Sequence, residues 1–160
     1  MPARRDYILS IIEQVGRMLA QVIFQRKAGQ HQQALQAIVQ GCERLFGMEA
    51  DQLFQFTPEQ HFAMLADGEQ PEVARDKVLL YATLCAEAGQ IYAAQGNPTL
   101  ARGSFVNALR LTLRARSEFS SDGLPVYAPD VAGLLEALKD APLDADTAEL
   151  MQAAARTSFR

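Results

Sequence analysis

ATLCAEAGQIYAAQGNPTLARGSFVNALRLTLRAR, residues 82–116, decides the fold. Gly96 follows a helical pattern and suits the left-handed position just past a helix end. Asn97 suits an N-cap, because its side-chain oxygen can accept from a free N–H of the first turn. Pro98 then falls at the first helical position, where its missing N–H costs nothing. One helix therefore stops near Gln95 and the next starts near Pro98. So short a connection forces the two to lie antiparallel as neighbours.

The spacing within this hairpin is specific. Gly89 and Ala101 are small enough to let two backbones approach, and Tyr92 and Phe105 are large enough to fill the space beside them. Ala101, Phe105, Ala108 and Leu109 keep the rhythm of one helix face. Gly89, Tyr92, Gly96, Ala101, Phe105 and Ala108 together stand at the offsets of the tetratricopeptide repeat, which this segment resembles. Cys85, Ala88 and Leu113 depart from that pattern, where it has Trp, Leu and Pro. The same residues also suit any antiparallel helix pair with alanine-rich packing. The resemblance implies an all-α, right-handed array of antiparallel helical hairpins that binds a protein or peptide on its concave face. The Lys–Asn clamp used by some such repeats for acidic tails would fall at Ala86 and Gln90, so a carboxylate clamp is not expected here. Thr83, Ala93 and Ala94 make that face small and weakly polar, better suited to a packed helix or apolar segment.

The rest of the chain is read outward from this hairpin. Tyr7, Ile8, Ile11, Ile12, Val15, Met18, Leu19, Val22 and Ile23 give a broad apolar stripe on a helix from about Arg5 to Lys27. A stripe so wide calls for cover on two sides, by the C-terminal region, by another subunit, or by the monomer's own core. Gly29, Ala34 and Ile38 repeat the offsets of Gly96, Ala101 and Phe105, so residues 1–47 read as a degenerate first hairpin, with its second helix at about 31–46. Residues 48–70 form a short-helix connector, with a single helical turn at 51–56 and a helix opened by the capping box Thr57-Pro58-Glu59-Gln60. Pro71 opens the first helix of the repeat-like hairpin, 71–119. Residues 120–160 read as a loop and two capping helices, about 129–140 and 146–157, the second capped by Asp146 and Glu149. All of this makes one domain. The segments DYILSIIEQVGRMLA and RKAGQHQQAL also resemble an uncharacterised bacterial family of repeat-like helical proteins, which implies a cytoplasmic, non-enzymatic role.

Composition narrows the function classes. The net charge of −4 opposes non-specific nucleic-acid binding, which rests on neutralising phosphates. The sign alternates along the chain, from +3 over 1–48 and −6 over 49–95 to +3 over 96–120 and −4 over 121–160. Such patches suit intramolecular or protein–protein complementarity, or a solvated surface with no partner. Cys42 and Cys85 lack metal or disulfide spacing and read as buried thiols of a reducing compartment. No unbroken run of 18 apolar residues exists, so no membrane partner is expected.

Catalytic chemistry finds no foothold. His31 and His61 each stand at a helix start, where exposed polar residues are common, and neither has a metal-ligand pattern. There is no phosphate loop and no nucleophile elbow, so no cofactor is implied. Arg102, Arg110 and Arg114 form a candidate interaction surface for an anion or acidic peptide, or a solvated face favoured by the helix dipole. The leading expectation is a self-associating interaction module, a homodimer. The alternative is a small-molecule sensor or enzyme with a pocket near Tyr81, Tyr92 and His61.

Overall fold

A computed structural model describes residues 2–158, and among these the chain is all-helical. The helices are α1 (Pro2–Lys27), α2 (His31–Phe46), α3 (Ala50–Leu53), α4 (Pro58–Ala66), α5 (Pro71–Ala94), α6 (Pro98–Glu118), α7 (Val131–Ala137) and α8 (Ala145–Ser158). Two hairpins, α1–α2 and α5–α6, form the frame. Both close in the same way. Gly29 has φ 76° and Gly96 has φ 75°. Gln30 N–H reaches Gln25 O at 2.8 Å, and Asn97 N–H reaches Tyr92 O at 2.9 Å. These are matching left-handed glycine closures, each satisfying carbonyls that the helix end leaves free. Asn97 accepts from Leu100 N–H at 3.2 Å, which starts α6.

α5 is the hub. It packs on α1, α2, α4 and α6, and its residues from Val78 to Ala82 are all buried. At Gly41 of α2, three helices meet: Leu84 of α5 and Val15 of α1 lie 3.4 and 3.8 Å from where a Cβ would stand. The main core fills the space between α1, α2, α4 and α5. A second cluster joins α6 to Leu134 and Leu138 at α7 and to Leu150 and Met151 of α8.

Several local readings change. Gly89 faces the ring of Phe105. A Cβ built on Gly89 would stand 2.7 Å from two atoms of the Phe105 ring. The glycine is therefore the seat of that ring. Asp144, not Asp146, caps α8: its Oδ1 accepts from Thr147 N–H at 2.8 Å. That contact, chiefly, holds the Asp144 carboxyl below its ordinary range. The turn around α3 buries Leu53 but leaves Phe54 and Phe56 exposed. The Thr57–Gln60 capping box is present in both directions.

Candidate interaction surface

Arg102, Arg110 and Arg114 of α6 are each engaged within the chain. Arg102 donates to the carbonyls of Leu138, Ala141 and Pro142 at 3.4, 3.3 and 3.0 Å, tying α6 to the α7–α8 connection. Arg110 pairs with Glu59 of α4 and stands 3.9 Å from Asp144. Arg114 pairs with Glu118 at 2.9 Å and lies over the Phe62 ring, 4.7 Å from its centre. A guanidinium with carboxylates and a ring already in place offers little to an outside anion.

His61 is buried rather than exposed, because the capping box turns α4 so that the imidazole faces inward. Its Nε2 lies 2.7 Å from Leu53 O, which can only accept, so Nε2 carries the hydrogen. Nδ1 is then the acceptor for Tyr81 O–H, 3.0 Å away. The Phe46 ring packs edge-on against both His61 and Tyr81. Tyr92 stands apart, packed on the second cluster. The three residues therefore line no common cleft. Among the described residues, no group of His, Cys, Asp and Glu is arranged to hold a metal ion.

Neither thiol is an activated nucleophile. Burial raises Cys42 well above its ordinary value. Burial also pushes Cys85 up to about 12, against a lowering by its hydrogen bond with Tyr81. Nucleophilic attack needs the thiolate. We expect Ellman's reagent at pH 8 to leave the native chain unlabelled within minutes and to titrate both cysteines after unfolding. The linkage has a definite sign. Below about pH 9 both states keep the proton; above it the unfolded chain loses protons that the native chain retains. Stability therefore falls from about pH 9 towards 12, by about 1.4 kcal/mol per pH unit for each such group. Urea melts across that range would read the slope.

Arg75 carries a contact that the linear pattern conceals. It is 3% exposed and donates to the carbonyls of Ser120, Asp122 and Gly123 at 3.1, 2.7 and 3.0 Å, while its Nε meets Asp76 at 2.9 Å. Thr83 Oγ1 lies 2.6 Å from Tyr127 O, so the α6–α7 loop lies across the α5 face that the repeat reading leaves for a ligand. Nothing in the linear pattern marks Arg75 as buried, because it stands in the charged opening of α5 beside Glu72, Asp76 and Lys77.

The outer face of α1 is uncovered. Val15, Leu19 and Val22 are buried against the core, and Arg26 pairs with Glu87 of α5. On the other side, Leu9 is 42% and Phe24 71% exposed. Between them a Cβ on Gly16 would meet nothing within 4 Å, and Ala20 is exposed. The principal neighbours of α1 are α2 and α5, so α7 and α8 do not supply the second cover. By length and composition the helix over Ala3–Lys27 is long and apolar enough to cross a membrane. The absence of an unbroken apolar run hid this, because Glu13 and Arg17 interrupt it. Compared with family models, with curated proteins and with solved structures, the chain matches none.

Proposed function

We propose that this chain is a protein–protein interaction module of helical-repeat type that self-associates through the outer face of α1. The observation that carries the reading is that face itself. Large apolar side chains flank a small-residue strip, on a helix whose other side is firmly packed. The repeat-like character is supported by the twin glycine closures at Gly29 and Gly96. It is also supported by the course of α1 and α5. Arg4 meets Glu69 and Arg26 meets Glu87, so the two first helices run in the same direction. Binding rather than catalysis, with no cofactor and in the cytoplasm, completes the reading. The rival, a ligand pocket near Tyr81, Tyr92 and His61, is disfavoured at that place, where His61 and Tyr81 bond to each other inside the core and Tyr92 packs elsewhere. The open cleft of about 1000 Å³ between the start of α1 and residues 68–73 is lined by none of the three.

Light scattering after size exclusion tests this at tens of micromolar. The parent chain should give about twice the 17.6 kDa of one copy. Ala20→Glu, which places a charge on the strip without touching the core, should return it to a monomer. A monomeric parent chain would count against the proposal.

A further inference from the structure

The geometry points to a second copy of this chain as the occupant of the α1 face, docked antiparallel about a two-fold axis between Gly16 and Arg17. This rests on the self-association proposed above and fixes its partner, direction and register.

The argument is one of self-complementarity. A two-fold contact requires that whatever residue i meets, its symmetry mate meets in return. With the axis between positions 16 and 17, residue 6 faces residue 27 of the second copy, and residue 9 faces residue 24. Those positions are Asp6 opposite Lys27, and Leu9 opposite Phe24, each twice. All four are exposed. Neither Asp6 nor Lys27 has an ion-pair partner among the described residues, whereas Arg4, Arg17 and Arg26 each have one. Between the two ends, Gly16 faces Arg17 and Ala20 faces Glu13 of the second copy, so each small residue leaves room for a longer charged side chain. Glu13 and Arg17, paired within one helix at 3.1 Å, lie astride the axis, where they can be shared between copies. A parallel arrangement would set Asp6 beside Asp6 and Lys27 beside Lys27, which opposes it.

Charge reversal tests the register. Asp6 and Lys27 are 21 residues apart on one helix, about 31 Å, so they cannot meet within a copy. Asp6→Lys alone and Lys27→Asp alone each place like charges at both ends of the contact. Each should weaken self-association by about tenfold, as measured by sedimentation equilibrium at low salt. An equal mixture of the two variants restores opposite charges at both ends, and so does the double variant. Both should recover to within about threefold of the parent affinity. Circular dichroism of each variant controls for folding. Unaltered dimerisation of the single variants, or a mixture no tighter than its components, overturns the register while leaving self-association standing. A parent chain that stays monomeric at tens of micromolar overturns both. So does a monomer that instead sediments with vesicles of mixed neutral and anionic lipid, since the α1 face would then belong to a membrane.

Discussion

Arg75→Met will lower the stability of the chain by about 3 kcal/mol, although it removes a charge from the interior. The reason lies in what the guanidinium leaves behind. Three carbonyls of the α6–α7 loop, those of Ser120, Asp122 and Gly123, all accept from it. Methionine fills much of the volume but donates nothing, so these acceptors lose their partners together. Arg75→Lys should recover little, because one ammonium cannot reproduce a planar fork aimed at several oxygens. The loop would come loose first. Limited proteolysis in 120–128 should therefore accelerate before the rest of the chain unfolds. A urea midpoint within the error of the parent would show that the loop is held by Leu124 and Tyr127 packing on the core instead.

The second large effect belongs to the seat of Phe105. Phe105→Ala removes a ring that is 8% exposed and joins α5 to α6, and should cost about 3–5 kcal/mol. Gly89→Ala works from the other side. Alanine favours the helix by about 1 kcal/mol, yet its Cβ would stand 2.7 Å from the ring. Overpacking of that kind costs about 1–3 kcal/mol, so the net change should be a loss of about 1 kcal/mol. Phe105→Leu alone should also destabilise. Combined with Gly89→Ala it should be less harmful than the sum, since the smaller side chain makes room for the new methyl. A coupling of about 1 kcal/mol in that double-mutant cycle is the expected sign of direct contact. Strict additivity would mean that the two residues do not touch.

These two sites show what a linear reading can and cannot see. The hairpin turns were legible because Gly96, Asn97 and Pro98 act locally, through a positive φ, a cap and a missing N–H. The Thr57 capping box was legible for the same reason. The partner of Gly89 was not, because offsets along two helices do not say which side chain crosses the gap. Arg75 was missed because it joins parts of the chain that are distant in sequence, bonding to the carbonyls of 120–123. His61 was set near Tyr81 only as part of a pocket, and its helix-start position concealed that it is buried and bonded to that tyrosine. The α6 arginines stood out as a charge cluster, but their carbonyl, carboxylate and ring partners come from α4, from α6 itself and from the α7–α8 connection. The breadth of the α1 stripe was visible throughout. Which half of it the core would use depended on the placement of α2 and α5.

The claim on which the function turns is that the outer face of α1 meets another copy of the chain. Hydrogen exchange of the intact protein, followed from low to high micromolar concentration, tests it most directly. The account predicts slower exchange with rising concentration across residues 9–24 of α1, and no change along α6 or α8. Exchange that is independent of concentration, or slowing confined to the α6–α8 side, would contradict it.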